Sequence, residues 1–132
     1  MKGRLITLII AGLFVMGTAA SAHHSFTATY QSEKTVKIEG KIAQFIFRNP
    51  HSFVHVIAPD ETGAMVRWAI EWQGAGQLGT QGMSAQTLKA GDSVVITGNP
   101  GRDPGEHRMR MVTMKRTSDG LSWGARPGEV VD

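Results

Sequence analysis

Arg48-Asn49-Pro50-His51-Ser52-Phe53-Val54-His55 is the stretch where one apolar β-type run stops and the next begins. Proline has no backbone donor and biases the preceding residue toward extended or turn backbone, so Asn49-Pro50 ends a strand. Upstream, Val36, Ile38, Gly40 and Ile42 alternate with Lys37, Glu39 and Lys41, the period-two pattern of a half-buried strand. The alternation breaks near Gln44, where Phe45, Ile46 and Phe47 run together. That break predicts a bulge or bend, letting one long strand serve two sheet faces, and Gly40 suits the same bending. Downstream, a second strand is expected from about His51 to Ala58, then a turn over Pro59-Asp60-Glu61-Thr62-Gly63. A third strand from Met65 to Trp72 places Val66, Trp68, Ile70 and Trp72 on one side and Arg67, Ala69 and Glu71 on the other. The two tryptophans then supply much of the core.

Further along, residues 73–83 shift to glycine, glutamine and small residues, a loop or short irregular helix. Ser84 is placed to cap a brief helix through Leu88, and Lys89-Ala90-Gly91-Asp92 turns the chain back. Strands follow over Ser93 to Gly98 and Arg108 to Arg116, separated by a polar loop. Three strands, a small helical connection and two more strands predict an all-β domain, a five-stranded oligonucleotide/oligosaccharide-binding (OB)-like Greek-key barrel, with a β-sandwich as the alternative.

The chain begins with Lys2 and Arg4, an apolar run from Leu5 to Met16, and Ala20-Ser21-Ala22, the layout of a cleaved secretory signal. A bilayer span needs about 20 apolar residues, more than this run provides. The expected organisation is a signal peptide over 1–22, an extended arm over 23–35 bearing Phe26 and Tyr30, a barrel over 36–123, and a flexible tail over 124–132. Export places the product in the periplasm or outside the cell, without a membrane anchor. The chain contains no cysteine, so neither a disulfide nor a lipid-bearing cysteine is available. Losing Lys2 and Arg4 from 14 basic residues leaves 12 against 11 acidic ones, a mature charge of +1. Such a balance speaks against strong non-specific attraction to nucleic acid or anionic lipid. A monomer that meets a periplasmic protein or a small molecule is the expected state.

All five histidines, at 23, 24, 51, 55 and 107, lie in the mature part. Processing after Ala22 makes His23 the first residue, so its α-amine and imidazole, His24 and a further histidine form a nitrogen-rich set suited to Cu(II). Processing one residue earlier puts a histidine third, which also binds Cu(II) through backbone amides. His51, beside the turn, is the expected partner of His23 and His24. His55 is a secondary metal candidate, because on an extended strand it sits about 13 Å from His51. The alternative is that His51 caps the Asn-Pro turn and bonds a backbone carbonyl.

Catalytic signals are sparse. Glu71 lies between Trp68 and Trp72, where burial raises a carboxyl pKa, yet as a lone carboxylate it lacks a partner in sequence. The serines form no nucleophile elbow, and Gly74-Ala75-Gly76-Gln77-Leu78-Gly79 fits G-x-G-x-x-G without the βαβ surroundings that motif requires. Met109, Met111 and Met114 read as core residues beside solvated arginines, with Met114 facing the opposite side from the other two. No catalytic residue and no cofactor other than copper is assigned, and the chain is not read as an enzyme.

Ala22-His23-His24-Ser25-Phe26, Asn49-Pro50-His51, Trp68-Ala69-Ile70-Glu71 and Leu88-Lys89-Ala90-Gly91-Asp92 with Val94-Val95-Ile96-Thr97-Gly98 resemble a bacterial secreted family, domain of unknown function 6152. The resemblance spans nearly all of the mature chain and implies a small exported β-domain without an established activity. Relatives often carry a Gly-Ser-Pro-Asn type loop after the glutamate, where this chain has Gln73-Gly74-Ala75-Gly76. The resulting reading is an exported binding or accessory barrel that holds copper through His23, His24 and His51. The alternatives are a metal-free interaction module using the Phe26, Tyr30 and Trp68 region or the barrel face to bind a partner protein or small ligand, and a copper-dependent oxidative enzyme.

Overall fold

The computed structural model describes residues 26–124. The expected signal peptide, His23, His24 and the tail beyond Gly124 therefore lie outside the described residues. Strand β1 spans Val36–Ile46, β2 Phe53–Pro59, β3 Met65–Glu71, β4 Ser93–Pro100, β5 Arg108–Arg116 and β6 Ser122–Trp123; the helix α1, Ala75–Thr80, lies between β3 and β4. Strand β1 pairs antiparallel with both β2 and β4, β2 with β3, and β4 with β5. A parallel seam joins Ala69, Ile70 and Glu71 of β3 to Arg108, Met109 and Arg110 of β5 and closes the barrel. This circuit is the OB topology, and it excludes the β-sandwich alternative.

The expected bend in β1 is present as a register shift between Ile42 and Gln44. Gly40 has a different role from the bending proposed for it. A Cβ on Gly40 would lie 2.1 Å from the Ile57 carbonyl oxygen and 2.9 Å from the Ala58 Cβ, so glycine lets β1 and β2 approach closely. Inside the barrel, Ile38, Ile42, Val54, Val56, Ile70, Val94 and Ile96 pack with Trp68 and Trp72, the side of β3 expected to face inward. Met109, Met111 and Met114 are all core residues. The expectation that Met114 faces away fails because the β4–β5 register shifts between Thr97–Thr113 and Gly98–Met111, leaving Val112 without an opposite residue and reversing the alternation.

Two further expectations are corrected. Of the loop or short helix expected in the glycine-rich segment, the helix is what forms, with Gly74 at its N-cap and Leu78 buried. Ser84 instead closes a turn, in which Thr87 N donates to Ser84 O at 3.0 Å and Ser84 N to Thr87 Oγ1 at 2.8 Å. The arm is likewise not fully extended: residues 26–29 are helical, and Tyr30 forms a bridge with Gly101.

The glycine contacts separate two otherwise similar substitutions. Gly40→Ala should destabilise the fold by about 1–3 kcal/mol through overpacking. Gly79→Ala, where a Cβ meets nothing within 4 Å, should be neutral or stabilising by up to about 1 kcal/mol. Urea unfolding of both variants checks this, and equal midpoints would contradict the close-approach role of Gly40.

Candidate functional site

His51 lies in the β1–β2 loop rather than in β2, which begins at Phe53. The loop is locked from several sides. Ser52, fully buried, donates its hydroxyl to Arg48 O at 3.2 Å and accepts from Arg48 N at 3.2 Å. Its backbone N donates to Gln73 O at 3.0 Å, and its carbonyl accepts from Trp72 N at 2.9 Å. The Asn49-Pro50 peptide is cis. Asn49 Oδ1 accepts from Gly76 N at 3.1 Å, and Arg48 O accepts from Ala75 N at 3.0 Å, so the turn satisfies the first donors of α1. The glycine-rich segment thus serves this docking: a Cβ on Gly74 would lie 2.5 Å from Pro50 O.

So held, His51 places Nδ1 2.6 Å from Glu71 Oε1. With Nδ1 engaged by the carboxylate, Nε2 is the ring nitrogen that does not face Glu71. Tyr30 donates its hydroxyl to Glu71 Oε2. Arg108 Nη2 lies 3.8 Å from the same oxygen and donates to Tyr30 Oη at 3.3 Å. Glu71 is 9% exposed and Tyr30 2% exposed, so a buried carboxylate is surrounded by three donors from three separate segments. The Phe26 ring lies 5.7 Å from the His51 ring and carries the Arg110 guanidinium 4.1 Å above it. Burial, then the hydrogen bond to Glu71 and its negative charge, push the Tyr30 phenol well above its ordinary value.

The alternative of His51 bonding a backbone carbonyl is replaced by this carboxylate contact. Glu71, read as a lone carboxylate, has its partner in His51, and no spacing pattern marks the pair because they lie on different segments. Tyr30 and Arg108 were missed as site residues for the same reason. Tyr30 and Trp68, expected to offer an aromatic binding surface, are buried. His55 stands apart on β2: its Nδ1 accepts from Arg67 Nε at 3.0 Å, and Arg67 Nη2 donates to Gln44 Oε1 at 3.1 Å. Burial and the Arg67 charge both lower the His55 pKa. Among the described residues, no three of His, Cys, Asp and Glu are grouped as a metal centre would need. Among them, too, no helix is long and apolar enough to cross a membrane.

The fold and this cluster define a small OB barrel whose β1–β2 loop presents a carboxylate-oriented histidine. The chain belongs to DUF6152, a family of unknown function, whose model matches residues 11–110. No curated protein matches its sequence. Among solved structures, it is similar in fold to the mitochondrial single-stranded DNA binding protein Rim1 of S. cerevisiae. That match has 11% identity and a TM-score of 0.45, covering 64% of this chain and 93% of Rim1. It is also similar to the N-terminal domain of PriB from Thermoanaerobacter tencongensis, at 17% identity and a TM-score of 0.45, covering 65% of this chain and 98% of that one.

Tyr30 is the only tyrosine, so its ionisation can be followed directly by ultraviolet absorbance. Its raised pKa favours the neutral phenol in the folded state. The associated stability is complete below the ordinary phenol pKa of about 10 and is lost as pH rises above it toward the folded value. Urea midpoints should therefore fall above about pH 10, with a smaller fall in Tyr30→Phe. A phenolate absorbance rising with an ordinary midpoint in the folded protein would contradict the Tyr30–Glu71 contact.

Proposed function

We propose that the chain is an exported OB-class binding protein that holds one Cu(II) ion beside His51, with His23 and His24 as its further ligands. The observation that carries this reading is the His51–Glu71 pair, with Nδ1 2.6 Å from the carboxylate. A carboxylate on one imidazole nitrogen fixes the tautomer and makes the other nitrogen a better metal ligand. Tyr30 and Arg108 hold Glu71 from the far side, which suits it to orienting His51 rather than ligating an ion itself.

Phe26 supplies the tether, since its ring lies against His51. From Phe26 the backbone spans at most about 7 Å back to residue 24 and about 11 Å back to residue 23. A tether of that length allows both imidazoles to approach the His51 ring. Processing after Ala22 would add the His23 α-amine, giving four nitrogens, a set that suits the tetragonal preference of Cu(II). The basic start, apolar run and Ala20-Ser21-Ala22 site support export and this processing. The proposed role is binding, without turnover of its own. A copper-dependent oxidative activity would be signalled by consumption of reductant and oxygen above the free-copper rate.

The test is Cu(II) titration of the processed protein, with its intact mass recorded so that the N-terminus is known. One-to-one binding is expected, weakened about 10–100-fold by Glu71→Gln through loss of the carboxylate that orients His51. His51→Ala should also weaken it, and so should one extra residue before His23. Equal affinity in the extended and native proteins would remove the terminal amine, and equal affinity in His51→Ala would remove His51. Absence of binding would leave a metal-free interaction module.

A further inference from the structure

A second site lies at the other end of the barrel. Helix α1 and the His51 loop occupy the end where β3 stops and β4 starts, and Leu78 plugs it from inside. At the opposite end, between the start of β1, the β2–β3 turn and the β4–β5 loop, a cleft of about 880 Å³ opens. Its volume falls within the range of small-molecule pockets, which recur at barrel mouths.

The walls of the cleft differ in character. Val36, Ile38 and Trp68 give it an apolar floor, while Lys34, Arg102 and Arg108 bring positive charge. Three acids also line it, but two of them are engaged by their own loops. Asp60 Oδ1 accepts from Thr62 N at 2.8 Å and Ala64 N at 3.1 Å, and Asp103 Oδ1 accepts from Gly105 N at 2.9 Å. The hydrogen bond from the Thr62 hydroxyl is the main cause holding the Asp60 pKa low. Among the described residues the Lys34 ammonium has no such engagement; Glu61 is the third acid of the wall and is exposed.

His107 closes the inner side. It adopts left-handed backbone, with φ 45° and ψ 52°, rare for a residue other than glycine. This conformation sets its ring edge-on to Trp68 at 5.5 Å, with Nε2 3.6 Å from Asp60 Oδ2, while its carbonyl accepts from Ala69 N at 3.0 Å. Strained backbone maintained in this way is characteristic of ligand sites. Beneath it, the buried indole N–H of Trp68 has no acceptor among the described residues. Leaving a buried donor unpaired is unfavourable, and Trp68 itself lines the cleft.

We propose that this mouth binds a small organic carboxylate with a planar apolar body, its ring over Val36 and Ile38 beside Trp68 and its carboxylate toward Lys34. The proposal does not rest on the copper reading, and its test is run with chelator present so that the two stand or fall separately. The three tryptophan indoles give separate signals in a nitrogen-15 correlation spectrum, assigned with Trp72→Phe and Trp123→Phe. Benzoate should shift the Trp68 indole saturably, with benzamide, its neutral counterpart, binding about tenfold more weakly for lack of a charge-assisted bond. Lys34→Ala, an exposed change that spares the fold, should weaken benzoate and leave benzamide unaltered. Equal binding of benzoate and benzamide, a shift confined to the Trp72 or Trp123 indole, or no shift up to ~10 mM, a very weak affinity, would each overturn the proposal.

Discussion

The buried carboxylate of Glu71 is the constraint on which the arrangement of this barrel depends. A charge at 9% exposure must be compensated, and removing its partners would leave it stranded at considerable cost. Its partners come from three places: Tyr30 from the arm, His51 from the β1–β2 loop and Arg108 from the start of β5. One side chain thus fixes three segments onto the end of β3. Each segment that meets it is oriented by that contact, and the most consequential orientation is that of the His51 imidazole.

The same contact reinforces the shortest junction of the barrel. The β3–β5 seam has three paired positions, whereas β1 and β4 share six, so the seam needs support from outside the ladder. The arm provides it. Gln31 N donates to Pro100 O at 2.9 Å, Arg102 N to Thr29 O at 2.9 Å, and Arg102 Nε to Thr27 O at 2.7 Å, binding the arm to the β4–β5 loop. The arm therefore runs from the open mouth to the His51 loop across the seam. It links the two candidate sites.

The two ends of the barrel are chemically distinct because their connections differ. At one end a six-residue helix and a turn exchange backbone bonds through Asn49, Arg48 and Ser52, leaving few unpaired groups and a rigid platform. At the other, the β2–β3 turn and β4–β5 loop satisfy their polar groups locally, through Asp60 and Asp103, and do not cover the core. A cleft with an apolar floor and a charged rim is the consequence.

The strands, their inward faces and the bend in β1 were legible because they follow local periodicity: the alternation of Val36, Ile38, Gly40 and Ile42 and of Val66, Trp68, Ile70 and Trp72 is visible within a few residues. Where a bulge breaks the period, as at Val112, the inference about Met114 failed. No helix starts at Ser84, although it is a good cap in isolation; the glycine-rich segment, open in the sequence between loop and short helix, becomes α1 because Arg48 and Asn49, remote in sequence, satisfy its donors. By itself the sequence determined the class of fold, the core-facing residues of most strands and His51 as the histidine beside the turn, all properties of adjacent residues. Only the tertiary structure decided that His51 meets Glu71, that Tyr30 and Arg108 complete the cluster and that His107 covers Trp68. Those contacts join residues between 20 and 78 positions apart or depend on a left-handed backbone that no local pattern encodes.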